Sequence, residues 1–161
     1  MSIEKVKAFF REIGREGDVL EFPVSSATVE LAAQAVGVIP ARIAKTLSFR
    51  RGDSCMLIVT AGDARIDNRK FKAEFGFKAN MPSPEEVLEQ TGHAVGGVCP
   101  FAIENDLVET FLDISLRRFD TVFPAAGSSN SAIELTCDEL FEYARAVKWV
   151  DVCKDWEGAE K

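Results

Sequence analysis

Apolar residues first recur at helical spacing between Ser2 and Arg15. Ile3, Val6, Phe9, Phe10 and Ile13 share one face there, which predicts an amphipathic helix ended by Gly14 and Gly17. Val19 to Val24 then reads as a strand. Thr28 to Val36 reads as a second helix, stopped by Gly37 in the C-terminal position glycine favours. Pro40 opens a short helical turn that delivers the chain to Lys45. Lys45–Arg50 and Cys55–Thr60 are strands flanking Arg51-Gly52-Asp53-Ser54, a hairpin signal. Asp67 caps a short basic helix running to about Phe75. Ser83-Pro84-Glu85-Glu86 combines an N-cap serine, a first-turn proline and a glutamate that closes a capping box, so a helix is expected to Gln90, stopping at Gly92. Thr110–Ser115, Thr121–Phe123 and Ala132–Leu135 read as strands. Thr136-Cys137-Asp138-Glu139 repeats the capping box and opens a helix to about Arg145. Lys148–Val152 is a last strand before an acidic tail expected to fray. Short strands with helices between and around them predict an α+β fold.

No linker, internal repeat or low-complexity segment interrupts this pattern, and 161 residues suffice for one domain, residues 1–161, with a hydrophobic core. No stretch is long and apolar enough to span a bilayer, and the N-terminus is charged and amphipathic rather than a signal peptide. The expected location is cytoplasmic, with no membrane partner. The four cysteines, at 55, 99, 137 and 153, form no Cys-x-x-Cys pair, and His93 is the only histidine. A structural metal, a disulfide framework and a cofactor are therefore not expected.

Charge changes the picture. The net charge of −7 opposes a general nucleic-acid binder, which is usually basic. Residues 41–80, however, carry nine basic groups against four acidic ones, a local +5 that leaves −12 for the remainder. That distribution reads either as a set of solvated faces or as a basic flank for an RNA end on an otherwise repelling body.

Candidate chemistry gathers on two glycine-rich loops and one isolated lysine. The first loop is Gly92-His93-Ala94-Val95-Gly96-Gly97-Val98-Cys99-Pro100-Phe101, and the second is Pro124-Ala125-Ala126-Gly127-Ser128-Ser129-Asn130-Ser131. Glycines let a backbone approach a ligand and turn its N–H groups toward it. Lys45 stands among apolar neighbours, where an ammonium is expensive to bury unless it meets an anion or a polarised carbonyl. Together they suggest a pocket for an ester or a phosphate. Plainer readings stand beside each: a snorkelling surface lysine, a tight Gly-Gly turn and an Asn/Ser turn between strands. Cys99 invites a nucleophile reading, but His93 is six residues away and no orienting Asp or Asn is evident. His93 reads as a loop histidine, Thr28 and Glu30 as ordinary helix capping, and Phe71, Phe75 and Phe77 as core packing rather than a base-stacking platform.

The run from Ala41 to Lys45, the Gly96-x-x-x-Pro100 loop and the segment from Ala125 to Leu135 resemble the YbaK/EbsC family, free-standing relatives of the editing domain inserted in bacterial prolyl-tRNA synthetases. The resemblance extends from about Val19 to Cys153. It implies a mixed, curved sheet approaching a barrel with helices packed outside. It also implies an aminoacyl-tRNA deacylase that acts in trans on the ester of a mischarged tRNA. The tRNA is expected to be prolyl and the amino acid small, such as alanine, cysteine or serine. Members associated with removing cysteine carry an aspartate where this chain has Ala132, which weakens a cysteinyl assignment. By resemblance Lys45 is the catalytic residue, holding the aminoacyl-adenosine end and favouring the oxyanion. Gly96, Gly97, Val98, Cys99 and Pro100 line the aminoacyl pocket, and Gly127, Ser128 and Ser129 lie across it. The implied partners are the aminoacyl-tRNA acceptor end and prolyl-tRNA synthetase. Two other readings stay open: a non-catalytic module binding a tRNA end or a synthetase, and hydrolysis of a small aminoacyl ester unrelated to translation.

Overall fold

Local hydrogen-bonding chemistry sets most element ends in the computed structural model, which describes residues 2–26 and 28–156. Helix α1 (Ser2–Glu12) leads through a short 3-10 turn to β1 (Leu20–Glu21). That strand is shorter than Val19–Val24 because Pro23, with no N–H to donate, follows it closely. Thr28 caps α2 (Val29–Val36) by accepting from the Leu31 N–H, and Gly37 ends it at φ 78°. A 3-10 turn at Pro40–Arg42 feeds β2 (Ile43–Arg51), which returns as β3 (Ser54–Ala61). A two-residue strand that the sequence did not signal, β4 (Arg65–Ile66), precedes α3 (Asn68–Phe75), capped by Asp67. Ser83 and Glu86 close the expected capping box of α4 (Pro84–Thr91).

The second half departs further from the expected pattern. Strand β5 (Glu109–Asp113) stops early because the Asp113 carboxylate accepts from the Ser115 N–H and turns the chain into a 3-10 segment. After β6 (Thr121–Pro124), the single strand expected over 132–135 is two: β7 (Ser131–Ala132) and β8 (Leu135–Thr136). The first pairs with β1 and the second with β6, so the chain changes partners around buried Ile133. Thr136 and Glu139 form the capping box of α5 (Cys137–Tyr143). The last expected strand is likewise divided, into β9 (Trp149–Val150) and β10 (Cys153–Lys154), the latter paired with β4. The acidic tail from residue 157 lies outside the described residues.

Six strands form one mixed sheet in the order β8-β6-β2-β3-β5-β9, curled into a half-barrel. The hairpin β2–β3 is its antiparallel centre, extended on both sides by parallel pairing to β6 and β5. The main core fills the curl with residues such as Met56, Ile58, Leu112, Leu116, Leu135 and Leu140. Phe10 of α1 meets Phe101 edge-on at 5.1 Å, and Phe71 packs against Phe49, Phe75 and Phe77 as expected of core aromatics. A smaller cluster joins α2 to the sheet through Ala32, Ala33, Ile43 and Phe123. The gap between α2, the start of β2 and the first glycine-rich loop is where the candidate site lies.

Candidate functional site

A cleft of about 410 Å³ opens there. Its floor is β2 from Ile43 to Ser48. One wall comes from α2 and β6 (Val29, Ala32, Phe123), and the other from Met81, Pro82 and Val87. Val95, Gly96 and Val98 close it from the first glycine-rich loop, and Ala125, Ser131 and Ala132 from the second. Most of these groups are apolar, the usual lining of a small-ligand cleft. Two helices begin at its edge, α2 with Thr28 and Val29 and α4 with Pro84, so two positive dipole ends face the same space.

Lys45 lines the cleft at the start of β2 and is half-buried. Its ammonium is not free. Nζ donates to the Ala64 carbonyl at 2.5 Å and lies 3.5 Å from the Gly62 carbonyl. An ammonium has three donors, so capacity for one further acceptor remains. Burial pushes the Lys45 pKa below the ordinary lysine value, opposed by the nearby Cys153 and Asp63. Thr46, its neighbour in sequence, also lines the cleft, with a buried Oγ1 that has no hydrogen-bond partner among the described residues. Nothing in the sequence singled it out. The signal lay only in its adjacency to Lys45.

The two glycine-rich loops touch each other. A Cβ on Gly97 would stand 2.9 Å from the Ser128 Cα, so only glycine permits this approach. Gly96, at φ 96°, and Val98 reach the cleft, and among the described residues their N–H groups donate to no protein acceptor. Gly97 lies buried behind them against the second loop. Cys99 is fully buried beneath the loop and outside the cleft lining, while Pro100 faces a second cavity beside α1 and α5. Gly127 is buried at φ 97°. Ser128 Oγ lies 2.9 Å from Asn130 Oδ1 and 2.7 Å from Ser131 Oγ, and the Ser129 carbonyl accepts from the Ser26 N–H at 2.5 Å. Gly127, Ser128 and Ser129 thus brace the second loop, while its neighbours Ala125, Ser131 and Ala132 meet the cleft.

His93 and Cys99 come together, with Nε2 3.6 Å from Sγ, but in a closed environment. The imidazole Nε2 lies 2.8 Å from the Phe101 carbonyl, which can only accept, so Nε2 carries the proton and Nδ1 is bare. Burial lowers the His93 pKa and pushes the Cys99 thiol up to about 12. The pair ties residues 93 and 101 together and so closes the base of the loop that presents Gly96. No group of three or more His, Cys, Asp or Glu among the described residues is arranged to hold a metal ion.

A family model for the aminoacyl-tRNA editing domain matches residues 24–143. The chain is 61% identical over 158 residues to an uncharacterized protein, YwhH, of Bacillus subtilis (strain 168), covering 98% of this chain and 100% of that one. It is 33% identical over 97 residues to the proline–tRNA ligase of Thermosipho melanesiensis, where the match spans 60% of this chain and only 17% of the ligase. Among solved structures, it superimposes with a TM-score of 0.85 and 30% identity on a protein provisionally described as a trans-editing enzyme for prolyl tRNA synthetase, covering 95% of this chain and 97% of that one. A hypothetical protein, APE2540, shares the fold at a TM-score of 0.79 and 29% identity, over 93% of this chain and 99% of its own. The likeness thus runs through the elements that build the cleft, and the chain belongs to the aminoacyl-tRNA editing domain family, as its lysine and glycine-rich loops implied.

Proposed function

We propose that this protein is an aminoacyl-tRNA deacylase that hydrolyses, in trans, the ester of a tRNA carrying the wrong amino acid. The observation that carries the reading is the joint placement of Lys45 and the Gly96 backbone on one small, mostly apolar cleft. Water adds to the ester carbonyl to form a tetrahedral oxyanion. Its collapse breaks the acyl C–O bond, releasing the free amino acid and the ribose hydroxyl of the tRNA. Donors placed where that oxyanion forms lower the barrier. The remaining donor of Lys45 and the unengaged N–H groups of Gly96 and Val98 are suited to the task, assisted by the dipoles of α2 and α4.

The cleft volume, about 410 Å³, is near the small end of ligand sites, which run from roughly 300 to 1,000 Å³. That favours a small acyl group, the class a synthetase rejects poorly by binding alone. The relatives that are proline–tRNA ligases, and the neighbour described as a trans-editing enzyme for their type, support prolyl tRNA as the substrate and prolyl-tRNA synthetase as a partner. Such work belongs in the cytoplasm, and among the described residues no helix is long and apolar enough to cross a membrane.

The test is deacylation of a panel of tRNAs, tRNA for proline included, charged with alanine, serine, threonine or cysteine. Wild type and Lys45→Ala are run together, with circular dichroism to confirm folding. Selective hydrolysis that falls by roughly 100- to 1,000-fold in Lys45→Ala is the expected result for loss of an oxyanion-stabilising group. A wild type inactive on every substrate refutes the deacylase in favour of a non-catalytic tRNA-binding module. Undiminished turnover by Lys45→Ala removes the lysine from the mechanism.

A further inference from the structure

We infer that the exposed face of α3, with the segment that follows it, is the docking surface for the RNA phosphate backbone when the terminal nucleotide occupies the cleft. The inference rests on the editing reading above and locates the surface that reading leaves open. A shallow cavity of about 360 Å³ is lined by Asn68, Arg69, Lys72, Lys78 and Ala79. Arg69, Lys72 and Lys78 are exposed, and among the described residues none has a carboxylate partner. Most other cations among the described residues are paired with carboxylates, including Arg50 with Glu86, Arg51 with Glu109, Arg42 with Glu134 and Arg118 with Asp63.

The acidic groups of this region are occupied elsewhere. Asp67 caps α3 through the Arg69 and Lys70 N–H groups, and Glu74 pairs with Lys148. Arg69 and Lys72 stand at i and i+3, where like charges repel and destabilise a helix slightly. The opposite face is committed to the core through Phe71 and Phe75. Three uncompensated cations on one patch of a chain with net charge −7 form an anion-binding surface with no internal partner.

Position ties the patch to the cleft. Lys78 precedes Met81, a cleft residue, by three positions, so their Cα atoms are at most about 11 Å apart. The Arg50 N–H donates to the Asn80 carbonyl at 2.7 Å and fixes this segment to the end of β2. A polyanion whose terminus enters the cleft can therefore continue over Lys78, Lys72 and Arg69.

The experiment measures binding of an uncharged tRNA-Pro transcript as a function of salt. Wild type is compared with the triple variant Arg69→Ala, Lys72→Ala, Lys78→Ala. A charge-matched control carries Lys5→Ala, Lys7→Ala and Arg11→Ala, residues paired with Glu104, Glu21 and Glu16. Each phosphate contact contributes about 0.7–0.9 to the slope of log K against log salt, so the triple variant should lose about 2 to 3 from the slope. It should bind on the order of 100-fold more weakly at 0.1 M salt, with the control near wild type. An unchanged slope, an equal loss in the control, or no binding by wild type at 50 mM salt overturns the docking surface. So does unaltered tRNA binding with loss of adhesion to phosphatidylserine vesicles, which would make the patch a membrane contact. The uncharged probe keeps the two readings apart. Patch-dependent tRNA binding by a protein that hydrolyses no ester refutes only the deacylase, and hydrolysis with a patch-independent slope refutes only the docking surface.

Discussion

Gly97→Ala probes whether contact between the two glycine-rich loops shapes the cleft. The added Cβ would meet Ser128 at 2.9 Å from Cα and 3.1 Å from both C and N. All three are backbone atoms, so no rotamer change relieves the clash. Ordinary carbon contacts lie near 3.5–4.0 Å, and the loops must part by roughly 0.6–1 Å to reach them. The second loop is the stiffer side, held by the contacts of Ser128 Oγ with Asn130 and Ser131, and by the Asn130 side-chain N–H donating to the Phe22 carbonyl at 2.9 Å. The displacement therefore falls on the first loop, which carries Gly96 and Val98 into the cleft.

Overpacking of this kind costs about 1–3 kcal/mol. For a domain of this size each kcal/mol lowers Tm by about 2–4 °C, so a fall of roughly 2–12 °C is expected by calorimetry. A shift near 1 Å in groups that position a substrate can cost on the order of 100-fold in rate, which the deacylation assay reads. Gly17→Ala is the control, because nothing lies within 4 Å of its added Cβ and its φ is not positive. It should be neutral or stabilising by up to about 1 kcal/mol. A Gly97→Ala protein with wild-type Tm and wild-type deacylation would refute the argument that this contact sets the cleft.

Under the proposed mechanism protonated Lys45 is the active form, so activity should persist below its folded-state pKa and fall as pH rises through it. Because burial lowers that pKa from 10.5, the alkaline limb of the enzyme-dependent rate, after subtraction of spontaneous ester hydrolysis, should lie below the usual lysine range. A rate with no such limb would remove the ammonium from the mechanism. Cys99 is fully buried with its thiol raised to about 12, so iodoacetamide at pH 8 should leave it unmodified in the native protein, and Cys99→Ala should still deacylate. Peptide mapping that finds Cys99 alkylated before unfolding, or an inactive but folded Cys99→Ala, would contradict that placement.

The parts of this fold legible in the sequence are those decided within a few residues. Thr28, Asp67, Ser83 and Thr136 accept helix N–H groups, and Gly37, Gly76 and Gly92 adopt the left-handed conformation that ends a helix. The β2–β3 hairpin follows from the turn residues Arg51-Gly52-Asp53-Ser54 set between two largely apolar runs. What local reading missed is decided at long range. Leu20 finds Ala132, and Ile66 finds Cys153, through two-residue ladders that no periodicity announces. The same limit divides the first loop. Its glycine pattern pointed to the cleft, but over three residues Val98 faces the cleft, Cys99 the core and Pro100 the far cavity. A run of adjacent candidates could not show that alternation.

Lys45 shows how a candidate residue can be legible in identity and hidden in geometry. Its apolar neighbours marked it as a charge needing a partner, and the partners turn out to be carbonyls of residues 62 and 64. Those carbonyls are where they are because Gly62 lacks a side chain. A Cβ there would fall 2.1 Å from the Pro40 carbonyl oxygen and 2.7 Å from Val29 Cγ1. Gly62 thus lets the turn before β2 and the start of α2 close over the end of β3, and its carbonyl and that of Ala64 then receive the ammonium. The same α2 residue, Val29, lines the cleft. Helix α2, the strand end and the lysine tip therefore form one packed unit, in which a glycine seventeen positions away restrains the proposed catalytic charge. A lysine held this way contributes a fixed positive field rather than a mobile base. That is the form of assistance an ester's developing oxyanion can use without reorganisation during the reaction.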